Sequence, residues 1–183
     1  MDKPLTIVEI GTGSGAIALS LAHYIEEAQV HTIDISPKAI EIARKNAKNL
    51  SLEEKVTFHQ GDLLSPINGI LDAKVDILVS NPPYIPSKDI LSLQREVQFH
   101  EPSLALDGGI EGLDFYKRII DEVLDFLSHQ ARLIFEIGHD QGDRVSGMIR
   151  EMGIFSDIRI IKDLASLDRV VLAKGLLTED RGK

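Results

Sequence analysis

Residues 78–87 read Leu-Val-Ser-Asn-Pro-Pro-Tyr-Ile-Pro-Ser, an apolar run stopped by an asparagine, two prolines and a tyrosine. Pro82 and Pro83 have no backbone N–H, so at two successive positions the main chain offers only carbonyl acceptors. Asn81 adds the oxygen of its side-chain amide. Two rigidly held acceptors suit an –NH2 group, which has two hydrogens to donate, and Tyr84 can lay its ring against a flat group. The nitrogen of a carboxamide or of an adenine amine is a poor nucleophile, because its lone pair is delocalised. Gripped through both hydrogens, it can aim that lone pair at an electrophile while its developing positive charge is stabilised. A neighbouring sulfonium methyl would complete the pair through proximity, and the excess proton can leave after attack. Without a ligand, the same residues make a proline-stiffened loop at a strand end.

A second constellation lies upstream. In Val-Glu-Ile-Gly-Thr-Gly-Ser-Gly-Ala-Ile-Ala-Leu, residues 8–19, three glycines follow one strand and open a helix. Their spacing is G-x-G-x-G rather than the G-x-G-x-x-G of dinucleotide sites. The shorter loop leaves less of a cradle for a pyrophosphate and suits a smaller group, such as the amino-acid portion of S-adenosylmethionine. Gly11, Thr12, Gly13 and Gly15 are therefore candidate cofactor residues. A ligand-free tight turn is the alternative, although three glycines in five residues weaken a helix start.

Asp34, some twenty residues on, can accept both hydroxyls of a ribose, or it can support the helix that opens at Ser36. Glu9 either faces outward from its strand or contacts the amino group of the cofactor. Asp62 either hydrogen-bonds an adenine amine or forms a Gly-Asp turn. Ile35 and Gly61, the neighbours of Asp34 and Asp62, join the cofactor set, as does Asn81. No Gly-Lys-Ser/Thr phosphate loop is present, and no Arg directly follows Asp34 to take a 2′-phosphate.

These residues need a frame. Ile- and Val-rich runs at 5–10, 30–35, 55–60, 75–80, 131–137, 155–161 and 168–174 read as strands. Amphipathic stretches at 16–28, 36–50, 113–128 and about 141–152 read as helices, with Ser36 as an N-cap, Pro37 at the first helical position and His129 near the end of the third helix. Strands alternating with helices predict an α/β fold: a doubly wound, mostly parallel, seven-stranded sheet with helices on both faces. The last two strands, joined by a short loop, are expected to pair antiparallel. In such sheets ligands bind beyond the carboxyl ends of the strands where the winding reverses, so strand four is expected beside strand one, with Asn81–Tyr84 facing the glycine loop.

The chain has 183 residues, a net charge of −9, no cysteine and 5% aromatic residues. An acidic, aromatic-poor surface argues against broad nucleic-acid binding, and the lack of cysteine removes disulfides and thiolate metal sites. The six histidines show no ligand spacing, so no metal is expected. There is no apolar run of membrane-spanning length and no signal-peptide pattern, which points to a soluble cytoplasmic protein. Residues 1–176 are expected to form one domain, and 177–183 a frayed tail.

The Asn-Pro-Pro-Tyr segment after strand four, with the G-x-G-x-G loop, resembles S-adenosylmethionine-dependent amino-group methyltransferases. Residues 96–116, Glu-Val-Gln-Phe-His-Glu-Pro-Ser-Leu-Ala-Leu-Asp-Gly-Gly-Ile-Glu-Gly-Leu-Asp-Phe-Tyr, are similar to the E-P-x-x-A-L-x-G-G-x-x-G-L-x-x-Y stretch of the HemK/PrmC family. The late segments 135–142 and 163–173 match as well. The resemblance implies a Rossmann-like class I methyltransferase that moves a methyl group from S-adenosylmethionine to the side-chain amide of a glutamine in a peptide chain release factor, leaving S-adenosylhomocysteine. It implies that Gly11, Gly13 and Gly15 line the methionine part, that Asp34 takes the ribose and that Asp62 takes the adenine region. It further implies that Asn81 and Pro82 hold the glutamine amide with Pro83 and Tyr84 beside it. Glu101, Pro102, Gly108 and Gly109 would shape the substrate wall, and Phe99 and His100 lie in the same irregular stretch. The sequence departs from the family at Glu9, where Asp is frequent, and at Ser166, where Gly is common. The family's N-terminal helical domain is expected to be absent. Two other functions remain open from the residues themselves: methylation of adenine in DNA or RNA, and a cofactor-binding domain without activity.

Overall fold

The computed structural model describes residues 4–71, 73–92 and 105–176; Glu101, Pro102, Phe99, His100 and the tail 177–183 lie outside them. Seven strands form one sheet in the order β3-β2-β1-β4-β5-β7-β6. They are β1 (Leu5–Ile10), β2 (Ala28–Asp34), β3 (Val56–Gln60), β4 (Val75–Ser80), β5 (Leu127–Glu136), β6 (Phe155–Lys162) and β7 (Asp168–Leu176). The helices are α1 (Ala16–Tyr24), α2 (Pro37–Leu50), α3 (Asp114–Val123) and α4 (Gly142–Glu151). β1 runs parallel to both β2 and β4, and β6 pairs antiparallel with β7. The winding reverses between β1 and β4, as expected.

By contacts the chain divides into two compact units: residues 1–80 with 125–134, and residues 81–124 with 135–183. In the first, β1 is buried at every residue from Thr6 to Ile10, which suits a central parallel strand covered on both faces. Ala18, Leu19 and Ala22 of α1 and Ala47 of α2 pack on Ile7, Val30 and Ile77 of the strands. The small residues let both helices lie close to the sheet. α2 begins as the sequence predicts: the Ser36 hydroxyl accepts a hydrogen bond from the Ala39 amide, and Pro37 occupies the first turn. In the second unit, Tyr116 of α3 meets Phe135 of β5 edge to face at 5.4 Å, and both are fully buried.

Two helices end four or more residues earlier than the sequence reading has them. The stretch 16–28 is rich in helix formers, yet α1 stops at Tyr24, because Ala28 must pair with Leu5 to start β2. Likewise α3 ends at Val123 and β5 begins at Leu127, where the Val75 amide bonds to the Phe126 carbonyl. His129 therefore lies in a strand rather than near a helix end. In both places sheet pairing overrides helix propensity. Ser166 adopts a left-handed conformation, φ 64, of the sort glycine favours.

Candidate functional site

The first unit carries the glycine loop. The Gly11 and Thr12 amides both donate to the Ile33 carbonyl, at 2.8 and 3.1 Å, so the loop is fastened to the end of β2. The Gly13 amide donates to one Asp34 carboxylate oxygen at 2.9 Å, and the Ser36 amide to the other at 2.8 Å. Each oxygen keeps a lone pair for a further donor. Gly11, Gly13 and Gly15 all have positive φ, of 88, 52 and 85°. A Cβ on Gly13 would meet nothing within 4 Å, so this glycine presents bare backbone to open space. Ile35 is exposed beside Asp34. The Gly61 amide bonds to the Asp34 carbonyl at 3.0 Å, drawing the ends of β2 and β3 together, and the Asp62 carbonyl accepts the Ser65 amide in a turn.

Glu9 does not face outward. It is 1% exposed, and its carboxylate accepts a hydrogen bond from the Thr32 hydroxyl, which in turn pairs with the Thr12 hydroxyl at 2.7 Å. A buried chain thus runs from β1 through β2 to the glycine loop. Loss of hydration raises the Glu9 carboxyl to about 7, against the lowering effects of the Thr32 hydroxyl and the Ala18 backbone; the Asp34 charge raises it further. The folded state therefore holds a proton on Glu9 between 4.5, its ordinary value, and about 7. This favours folding fully below the ordinary value and is lost as pH rises through 7, an effect of about 3 kcal/mol. Glu9→Gln removes the ionisation and keeps an acceptor for Thr32. The stability of Glu9→Gln relative to wild type, from urea unfolding, should grow as pH rises from about 5 to about 8. A constant difference would show that Glu9 does not titrate in that range.

His31 and His59 act in the opposite sense. Burial lowers both imidazoles, with His59 adding to the effect on His31 and Arg44 to that on His59. Their contribution is present above 6.5 and is lost as pH falls below it. Both are common to variant and wild type, so they cancel in the comparison.

Ser80 closes β4. It is fully buried, lies opposite Ile10 in the parallel register, and its hydroxyl donates to the Ile10 carbonyl at 2.7 Å. The last residues of β1 and β4 are thereby locked side by side. From these two strand ends the chain goes on to Gly11 and to Asn81.

The second unit carries Asn81–Tyr84. Asn81 is exposed and Pro82 buried, while Pro83 and Tyr84 are half-buried. The next residues are pinned: the Ile85 amide donates to the Leu106 carbonyl at 3.0 Å, the Gly108 amide to the Ile85 carbonyl at 2.9 Å, and the Ser87 amide to the Gly109 carbonyl at 2.9 Å. Asp107 supports this pairing by accepting the Ser87 hydroxyl and the Gly109 amide, which hold its carboxyl below the usual range. Burial raises the Tyr84 hydroxyl, and the Glu136 charge raises it further, while the Arg169 charge opposes them. The phenol therefore stays neutral near pH 7.

Sequence reading missed Ser80, Thr32 and Gln141, which fasten these segments. Ser80 alone left a signal, a polar residue closing an apolar run. Among the described residues, no group of three or more His, Cys, Asp or Glu could hold a metal, and no helix is long and apolar enough to cross a membrane.

The chain is similar to many known proteins. A relative from Moorella thermoacetica named release factor glutamine methyltransferase is 46% identical over 168 residues, covering 92% of this chain and 58% of the relative. One of the same name from Bacillus anthracis is 43% identical over 173 residues, covering 94% of this chain and 60% of the relative. These names bear out the resemblance drawn from the motifs. The chain thus spans about three fifths of the length of these curated relatives. Among solved structures, a methyltransferase from Pyrococcus furiosus aligns with a TM-score of 0.69 at 16% identity, covering 95% of this chain and 76% of that one. A ribosomal protein L11 methylase from Lactobacillus delbrueckii subsp. bulgaricus aligns at 0.65 and 20% identity, covering 95% of this chain and 72% of that one. At such identities these two share the fold. The methyltransferase domain profile itself matches residues 1–137, and the chain belongs to the methyltransferase domain family.

Proposed function

We propose that the protein transfers a methyl group from S-adenosylmethionine to the side-chain amide nitrogen of a glutamine in a peptide chain release factor, in the cytoplasm. The observation that carries this reading is that Asn81 and Pro82 follow directly on Ser80, where β4 is locked to the end of β1; we read their two oxygens as the acceptor pair for the amide. The names of the relatives support the choice of substrate.

The residues present fit the cofactor. Bare backbone at Gly13 admits the methionine part, Asp34 has lone pairs to spare for ribose hydroxyls, and exposed Ile35 offers an apolar face to adenine. Gly11, Thr12, Gly15, Gly61 and Asp62 complete the cradle. Glu9 acts from beneath, through Thr32 and Thr12, rather than by touching the ligand. Bound S-adenosylmethionine would supply an electrophilic methyl. The Asn81 oxygen and the Pro82 carbonyl each accept one hydrogen of the glutamine amide, fix its plane, and stabilise the cationic nitrogen as it forms. Tyr84 packs against the flat amide, and Pro83 keeps the turn rigid. Glu101 and Pro102 belong to the substrate side.

Asp34→Ala should weaken S-adenosylhomocysteine binding about tenfold to a hundredfold, as expected for lost hydrogen bonds to a charged group. Calorimetry measures it; unchanged affinity would remove Asp34 from the cofactor site. The reaction itself is tested by incubating the full-length protein and tritiated S-adenosylmethionine with a release factor, DNA or RNA. Label on a release-factor glutamine is expected. Label in nucleic acid alone would overturn the reading in favour of adenine methylation.

A further inference from the structure

Gln141, just before α4, is 5% exposed and uses its whole side-chain amide. Its oxygen accepts the Gly138 amide at 2.9 Å. Its nitrogen donates to the Tyr84 carbonyl at 3.0 Å and to the Gly112 carbonyl at 3.1 Å. One side chain therefore joins the turn after β5, the last residue of Asn-Pro-Pro-Tyr, and the glycine segment 108–112. That segment is pressed onto the same turn. A Cβ on Gly108 would lie 2.7 Å from the Tyr84 Cα, and one on Gly112 would lie 2.2 Å from the Tyr84 oxygen.

The two prolines carry that constraint backwards along the chain. Their rings fix φ at Pro82 and Pro83, leaving few soft torsions between the Tyr84 carbonyl and Asn81. A peptide group fixed at Tyr84 thus limits where the Pro82 carbonyl and the Asn81 side chain can point. We propose that Gln141 is a positioning residue: by holding the Tyr84 and Gly112 carbonyls, it sets the direction of the Asn81 and Pro82 acceptors. This rests on the reading of those acceptors given above.

Two variants of the full-length protein test it. Gln141→Glu is nearly isosteric. Its ionised form would set an anion against the Tyr84 and Gly112 carbonyls, while its protonated form restores one donor. Its kcat with a release factor should fall about a hundredfold when ionised, the scale of a reacting group misplaced by about 1 Å. Relative to wild type, kcat should then recover as pH is lowered, while S-adenosylhomocysteine affinity stays at the wild-type value. Loss merely of packing would produce no such limb. Gln141→Met removes all three hydrogen bonds without adding charge. It should lower kcat similarly and speed hydrogen exchange at the Ile85 and Gly108 amides, whose bonds depend on the same turn.

A wild-type kcat in both variants, or an equal loss of cofactor binding and activity, would overturn the assignment. Failure of the wild-type protein to label a release factor would instead sink the substrate reading. In that case exchange in Gln141→Met decides the positioning role alone: faster exchange at Ile85 and Gly108 upholds it, and unchanged exchange refutes it.

Discussion

Asn81→Ala is expected to lower kcat for methyl transfer about a hundredfold with no change in the affinity for S-adenosylmethionine. The substitution removes one of two acceptors, leaving the Pro82 carbonyl to hold a single hydrogen of the amide. The amide can then rotate about that remaining bond, and its lone pair no longer points at the methyl carbon for most of its bound lifetime. It also loses half of the negative potential that offsets charge on the attacking nitrogen. Both losses fall on the transition state rather than on the resting complex, so kcat should move more than KM. Asn81 makes this prediction clean, because it is exposed and no hydrogen bond fastens its side chain among the described residues, so its removal leaves no orphaned partner. Steady-state kinetics with calorimetry on S-adenosylhomocysteine would check it. A parallel loss of cofactor affinity would assign Asn81 to the cofactor instead.

Gly112→Ala should destabilise the protein by about 3 kcal/mol, from a left-handed residue at roughly 1–2 kcal/mol and a buried donor left unsatisfied at roughly 1–3 kcal/mol. Gly112 has φ 70, and an added Cβ would sit 2.2 Å from the Tyr84 oxygen and 2.8 Å from the Gln141 nitrogen. The Tyr84 oxygen is backbone, so the clash cannot be relieved by turning a side chain. The turn must shift, and the Gln141–Tyr84 bond must lengthen or break. For a chain of this size the melting temperature should drop by about 6–12 °C. Gly69→Ala provides the control, since φ there is 71 but nothing lies within 4 Å of the added carbon. It should show the conformational cost alone, about 1 kcal/mol. Equal melting temperatures for the two variants would mean that the Tyr84 contact is not what makes Gly112 a glycine.

The parts of this molecule that a sequence discloses are those with a local cause. β1, β4 and α2 were legible to within a residue, because a bounded Ile/Val run or a Ser-Pro start is written in adjacent residues. The end of α1 was not, since Glu26 and Glu27 favour helix and only the distant pairing of Ala28 with Leu5 draws the chain into β2. The glycine loop and the Asn81–Tyr84 turn stood out by composition. Their fastenings did not. Ser80 reaches the Ile10 carbonyl seventy positions away, and Gln141 reaches Tyr84 across fifty-seven. A glutamine beside a glycine reads as an ordinary helix approach until three carbonyl and amide groups are seen to converge on it. For Glu9 the residues alone leave two readings open, and the burial of its carboxylate removes the outward-facing one.

The measurement that reaches the centre of the account is a structure of the full-length protein with S-adenosylhomocysteine and a glutamine-bearing release factor. The glutamine amide nitrogen is expected within about 3.2 Å of both the Asn81 side-chain oxygen and the Pro82 carbonyl, with the cofactor sulfur beyond it on the line of attack. An amide nitrogen held by other groups, with those two oxygens facing water or turned away from the sulfur, would contradict it.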